Sequence, residues 1–84
     1  MNLILLRQQI SALDRSILQL LAQRLELARK TKAHKKDIED PKREEELRRT
    51  WREEAASAGL SEPFALELLE LVLAESRRIQ YKKP

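Results

Sequence analysis

Apolar residues in the first third of the chain recur at alternating steps of three and four. They stand at positions 3, 6, 10, 13, 17, 20 and 27, which is the repeat of one face of an α-helix. The pattern predicts one helix from residue 2 to about residue 36, roughly 50 Å long. The rest of an 84-residue chain cannot cover a helix of that length. We therefore expect a partner helix, and hence an oligomer.

Two shorter helices follow. Asp40 and Pro41 are a typical N-cap and first helical residue, and Gly59 is a typical C-terminal stop. Ser61, followed by Pro63, caps the third helix. The predicted apolar stripes are Leu47, Trp51, Ala55 and Ala58 on the second helix, and Ala65, Leu68, Leu69, Val72, Leu73, Ser76, Ile79 and Gln80 on the third. The fold class is therefore all-α, a three-helix protomer forming one domain over residues 1–84.

The composition argues against several classes of protein. A single glycine disfavours tight hairpins and phosphate-binding loops. With no cysteine and one histidine, the chain has no disulfide framework and no thiolate or histidine metal cluster, so we expect no metal site. No apolar run is long enough to cross a membrane. A cysteine-free chain suits a reducing compartment, and we expect a cytoplasmic location.

Positive charge is concentrated in the first 35 residues. This segment holds seven Lys or Arg against Asp14 and Glu26, whereas the remainder sums to −2. A basic surface is compatible with nucleic acid. However, the three aromatic residues are too scattered for a stacking platform. A small anion is at least as plausible a partner.

Arg24 interrupts the apolar stripe of the first helix. A cation there needs an anionic partner. That partner is either a carboxylate of the second helix, from Glu44 to Glu46, or a bound anion held by the planar guanidinium. Lys35 lies eleven residues further on, close to the same helix face. It could reach the same anion or be a solvated lysine in a basic stretch.

Further polar residues stand where apolar ones are expected. Ser76 and Gln80 continue the apolar line of the third helix, which suggests either a polar pocket or a frayed helix end. Arg43 and Glu44 follow the Asp40 cap, where surface charges are the simpler interpretation. No catalytic triad, activated cysteine or carboxylate pair is evident. An enzyme built from these groups would act by positioning and charge stabilisation.

The chain resembles the all-helical chorismate mutases. The resemblance rests on four motifs in order: Leu6 to Asp14, Gln23 to Ala28, Asp40 to Glu44 and Glu75 to Gln80. The intervals between their polar residues also fit that family. The segment between Lys35 and Asp40 is about four residues shorter than the family's usual loop.

The resemblance implies an intertwined homodimer that converts chorismate, a dianion, to prephenate in aromatic amino acid biosynthesis without a cofactor. It implies that Arg24 and the partner's Arg7 hold the substrate carboxylates. It also implies that Lys35 and Gln80 donate to the ether oxygen. The remaining implied residues are Glu44 and the backbone of Asp40 at the ring hydroxyl, Ser76 at a carboxylate, and Arg43, which orders the site.

Helix geometry agrees with the exchange of Arg7. Arg7 and Arg24 are about 25 Å apart along one helix and roughly 100° around it, so two antiparallel helices bring them together more easily than one. Three alternatives stay open from sequence. They are a related enzyme such as an isochorismate pyruvate lyase, a non-catalytic metabolite-binding or helical association module, and, more weakly, a nucleic-acid-binding protein.

Overall fold

The computed structural model describes residues 2–34 and 40–81, and these residues form three α-helices with no strand. Helix α1 spans Leu3–Thr31 and continues into a short 3₁₀ turn, Lys32–His34. Helix α2 spans Pro41–Ala58, and helix α3 spans Glu62–Tyr81. The prediction of an all-helical, three-helix chain is confirmed for this part of the sequence.

Helix α1 begins at the Asn2 cap, whose side chain accepts a 2.9 Å hydrogen bond from the Leu5 backbone N–H. It ends earlier than predicted, at Thr31 instead of residue 36. The carbonyl of Ala28 accepts hydrogen bonds from Gln80 Nε2 at 2.7 Å and from Thr31 Oγ1 at 2.7 Å. The Lys32 N–H bonds to the Arg29 carbonyl, three residues back. These tertiary and side-chain bonds favour the tighter 3₁₀ turn at this point.

The predicted boundaries of α2 and α3 are confirmed by their caps. Asp40 Oδ1 accepts from the Arg43 N–H at 3.1 Å. Gly59 closes α2 in the left-handed region at φ +74°, where glycine has no Cβ penalty. Ser61 Oγ accepts from the Phe64 N–H at 3.3 Å at the start of α3.

Helix α3 is the centre of the packing and contacts both α1 and α2. It contributes most of the buried residues, and Leu69 is fully enclosed. The buried set is Ala55, Ala65, Leu69, Val72, Leu73, Ser76 and Gln80. Every buried α3 residue lies on the predicted stripe, and so does Ala55 of α2.

Helix α1 extends beyond the packed region. Its apolar residues from Leu3 to Leu20 are mostly exposed in the single chain, and none of its residues is fully buried. The molecule measures 52 × 30 × 15 Å, and its radius of gyration is 15.6 Å. A compact chain of this length has a radius of gyration of about 12 Å. None of the described helices is long and apolar enough to cross a bilayer.

Candidate functional site

A cavity of about 430 Å³ lies between the C-terminal half of α1, the first half of α2 and the last turns of α3. Its apolar wall includes Leu27, Leu47, Trp51 and Leu73. Its polar lining is Arg24, Thr31, Asp40, Arg43, Glu44, Ser76 and Arg77. The cavity therefore combines an apolar wall with guanidinium, hydroxyl and carboxylate groups, as small-molecule sites commonly do.

Arg24 and Ser76 meet across this cavity. Arg24 Nη1 donates to Ser76 Oγ at 3.5 Å, and Ser76 Oγ donates to the Val72 carbonyl at 2.9 Å. Within residues 2–34 and 40–81, Arg24 forms no ion pair with Glu44, Glu45 or Glu46, so the ion-pair interpretation of Arg24 is wrong for the described chain.

The surroundings of Arg24 disfavour its positive charge. Burial lowers the pKa of Arg24, and the nearby cation of Arg43 lowers it further. A guanidinium still stays protonated at neutral pH. Its charge is therefore partly desolvated and repelled by a neighbour, and an anion placed beside it would stabilise it.

Glu44 contributes a carboxylate to the cavity lining, among the arginines described above. Its Oε1 lies 2.6 Å from Arg77 Nη2 and 3.6 Å from Arg48 Nη2. Arg48 in turn bonds Glu70 through Nε at 2.8 Å. These contacts tie the first turn of α2 to α3 and hold a carboxylate at the cavity wall.

The first turn of α2 supplies two more polar residues. Asp40 lines the cavity while its side chain caps the helix. Arg43 lines the cavity and pairs with Glu46 at 3.4 Å along the exposed face of the helix. Arg43 also lies close enough to Arg24 for its positive charge to lower the pKa of Arg24.

Gln80 is buried, with 3% of its surface exposed, at the junction of α3 and the end of α1. Its Nε2 donates to the Ala28 carbonyl at 2.7 Å and to Thr31 Oγ1 at 3.1 Å. Both acceptors belong to residues that line the cavity. Because Ser76 and Gln80 are both buried and hydrogen-bonded, they do not lie on a frayed helix end.

The structure brings together most of the residues that the sequence indicated. Arg24, Asp40, Arg43, Glu44 and Ser76 all line the cavity, and Gln80 bonds to its wall. Arg7 lies elsewhere, in a shallow groove near the start of α1 with Ile4, Gln8, Ser11 and Arg15. Lys35 lies outside the described residues.

Sequence reasoning missed Thr31 and Arg77. Arg77 falls inside the closing motif beside Ser76, but nothing in its spacing indicates a contact with Glu44. Thr31 stands at the end of α1, where its contact with Gln80 depends on how the helix terminates. The spacing of α2 predicts Trp51 on its apolar stripe, and the structure adds that this side chain lines the cavity.

The described residues contain no group of three or more His, Cys, Asp or Glu suited to a metal ion. Fold and cavity together describe an all-helical protein whose cavity is lined by cationic and hydrogen-bonding side chains. Residues 6–81 match the family model of chorismate mutase type II, and the chain belongs to that family. Its activity is that of a chorismate mutase, an isomerase that converts chorismate to prephenate by intramolecular rearrangement. No curated protein and no solved structure matches the chain.

Proposed function

We propose that chorismate is bound and rearranged in the cavity between α1, α2 and α3. One observation carries the proposal: five residues that the family resemblance assigns to the active site lie on α1, on α3 and at the start of α2, and they line one cavity. They are Arg24, Asp40, Arg43, Glu44 and Ser76. Arg24 and Ser76 are 52 residues apart in the sequence, so it is the packing of α1 against α3 that brings them together.

Arg24 is the first substrate contact in this proposal. Its planar guanidinium matches the two oxygens of a carboxylate. Binding of that carboxylate offsets the partial burial of the cation and the repulsion from Arg43. The Ser76 hydroxyl, fixed by its bond to the Val72 carbonyl, supports Arg24 or the carboxylate itself.

Gln80 and Lys35 act on the ether oxygen as its bond breaks. Gln80 Nε2 has two hydrogens, now shared between the Ala28 carbonyl and Thr31 Oγ1. The bond to Thr31 is the longer of the two. We infer that Nε2 exchanges Thr31 for the ether oxygen and keeps Ala28 as its anchor. Negative charge that develops on the oxygen then strengthens the new bond in the transition state.

Glu44 and the backbone of Asp40 hold the ring hydroxyl, while Arg43 orders this end of the site. The rearrangement makes and breaks bonds within one molecule, so no external acid, base or cofactor is needed. The protein selects a compact conformer and stabilises the developing charge. Cationic and amide donors are sufficient for both tasks.

We further propose an intertwined homodimer in which each cavity receives Arg7 from the partner. The exposed apolar stripe of α1 supports this arrangement. The accessible surface of the single chain, 7005 Å², also exceeds the roughly 5,200 Å² of a compact monomer of 9.9 kDa. A second copy packed along α1 would cover that excess.

The proposal includes aromatic amino acid biosynthesis as the pathway and the cytoplasm as the compartment. The pathway is supported by the family's product, prephenate. The compartment is supported by the cysteine-free composition, which suits a reducing environment.

Complementation between two inactive variants tests the shared site. Arg7→Ala and Arg24→Ala proteins should each lose activity, whereas Arg29→Ala, which breaks an exposed pair with Glu26, should keep it. A co-refolded equal mixture contains about half heterodimers, each with one complete site, so about a quarter of the parent activity should return. Absence of recovery contradicts the shared site, provided that one variant is isotopically labelled and mass spectrometry of the mixture shows the heterodimer.

A further inference from the structure

Glu44 is held by two arginines, and they are not equivalent. Arg77 on α3 donates from Nη2 to Glu44 Oε1 at 2.6 Å, which is a short charge-assisted hydrogen bond. Arg48 on α2 lies 3.6 Å from the same oxygen and makes closer contacts with Glu70 at 2.8 Å and Glu45 at 3.4 Å. Arg77 is therefore the main partner of the Glu44 carboxylate.

This pair is shielded from solvent in contrast to its neighbours on the surface. Only 15% of the Glu44 side chain and 27% of the Arg77 side chain are exposed. The pair between Arg78 and Glu75, one residue along α3, is 60% and 42% exposed. A pair at the cavity wall is less screened by water than one on the surface, so the attraction between its two charges is stronger.

We propose that Arg77 is a positioning residue for the reaction, because its hydrogen bond holds Glu44 in the orientation in which the carboxylate accepts a hydrogen bond from the substrate's ring hydroxyl. The inference rests on the proposed role of the cavity and of Glu44. Arg77 and Arg48 both contact Glu44 Oε1, so we assign the substrate's ring hydroxyl to Glu44 Oε2. Arg77 itself touches Glu44 and acts on the substrate through it.

The charges around Glu44 favour this role. On α2, Arg43 and Arg48 carry positive charge, and the capping residue Asp40 carries a carboxylate at the helix start. From α3, Arg77 is the direct partner, and Glu70 is neutralised by Arg48. From α1, Arg24 lines the same cavity.

Loss of Arg77 removes the short hydrogen bond to Glu44 Oε1 and leaves, among the arginine contacts of the described residues, the longer one to Arg48. The carboxylate can then adopt other side-chain orientations at the cavity wall. A misoriented carboxylate accepts the ring hydroxyl poorly, because catalytic contacts depend on alignment. The kcat/KM of such a variant should therefore fall, and the fall should depend on the presence of the Glu44 carboxylate.

The test compares Arg77→Met with Arg78→Met, which removes the neighbouring guanidinium from an exposed pair. We would measure kcat and kcat/KM for chorismate at pH 7. We expect Arg77→Met to lose about tenfold in kcat/KM. Arg78→Met should have the kinetics of the parent.

A double variant separates positioning of Glu44 from a general structural effect. Glu44→Gln removes the charge that Arg77 holds, so adding Arg77→Met to Glu44→Gln should cost little more. Additive losses in the double variant contradict the proposal.

Two further outcomes are distinguishable. If Glu44→Gln and Glu44→Ala keep parent activity, the proposed site is wrong. If those variants are impaired but Arg77→Met matches Arg78→Met, only the role of Arg77 is wrong. Should Arg77→Met lose its cooperative thermal transition, Arg77→Lys replaces it. Lysine keeps the charge but lacks the guanidinium geometry, so Arg77→Lys should lower kcat/KM in the parent and cost little more in Glu44→Gln. Equal losses in the two backgrounds overturn the proposal.

Discussion

Arg24 Nη1 lies 3.5 Å from Ser76 Oγ, and this contact connects the C-terminal half of α1 with the last turns of α3. The hydroxyl hydrogen of Ser76 is used by the Val72 carbonyl at 2.9 Å, so the oxygen is left to accept from Arg24. A serine inside an otherwise apolar helix face thus holds a guanidinium at the wall of a cavity. The geometry of Arg24, and not only its charge, should matter for catalysis.

Arg24→Lys tests that geometry. Lysine keeps the positive charge but lacks the planar fork, so kcat/KM for chorismate should fall about tenfold or more. Arg29→Lys, on the exposed side of the same helix, is the matched control and should retain parent kinetics. Parent-like kinetics in Arg24→Lys would show that a point charge suffices at this position.

Ser76→Ala removes the acceptor that orients Arg24. One hydrogen bond contributes about 1 kcal/mol, so kcat/KM should fall about fivefold. Ser57→Ala, at an exposed position of α2, should have no effect on kinetics. An unchanged kcat/KM in Ser76→Ala would mean that Arg24 keeps its position without this hydroxyl.

Thr31→Val tests the exchange proposed for Gln80. The substitution removes a ground-state acceptor of Gln80 Nε2, so thermal unfolding should show a loss of about 1 kcal/mol in stability. Turnover should fall far less than in Gln80→Ala, because the bond to Thr31 is absent from the proposed transition state. Thr50→Val, at an exposed site on α2, is the control. Equal losses of kcat in Thr31→Val and Gln80→Ala would assign the Thr31 hydroxyl a direct role.

Periodicity and capping residues predict most of this fold. The stripe of α3, the Asp40 cap and the Gly59 stop are local signals, and each appears in the structure at the expected position. The end of α1 is different, because the Gln80 side chain reaches the Ala28 carbonyl from 52 residues away. No local pattern around residues 28–34 carries that information.

The candidate site likewise contains residues that a local pattern indicates and residues that only the packing brings together. Arg24, Ser76 and Gln80 can be found from sequence because each is polar on an apolar face. Arg77 cannot, since an arginine beside a helix stripe looks like a surface charge until α2 is packed against it. Its contact with Glu44 depends on the angle between two helices, which the spacing within either helix does not determine.

Glu70→Gln tests the ion pair that links α2 to α3. The hydrogen bond from Arg48 lowers the pKa of Glu70. A carboxylate whose pKa is lowered by folding stabilises the protein above its unfolded-state pKa, and this contribution is lost as the pH falls through the folded-state value. Both side chains are partly exposed, so the effect should be small. Thermal unfolding should show a slightly lower Tm for Glu70→Gln at pH 7 and a smaller difference near pH 3. A difference that grows in acid would contradict this account.

Gln80→Glu tests the chemical step most sharply. The introduced carboxyl group would occupy the place of an amide whose nitrogen is 2.7 Å from the Ala28 carbonyl. An ionised carboxylate there would face that carbonyl oxygen and could donate no hydrogen bond to the ether oxygen, whereas the protonated form has one O–H that can donate to the ether oxygen. Burial and the adjacent carbonyl should raise the pKa of the introduced group. The variant should therefore turn over about a hundredfold more slowly than the parent near pH 7.5 and recover as the pH falls toward 5. The parent amide does not titrate and should show no comparable gain. Gln23→Glu, at an exposed position of α1, is the matched control for an added negative charge and should follow the parent at every pH. Steady-state kcat for all three proteins from about pH 4.5 to 8 decides the question, since a Gln80→Glu profile that stays flat and parent-like removes Gln80 from the mechanism.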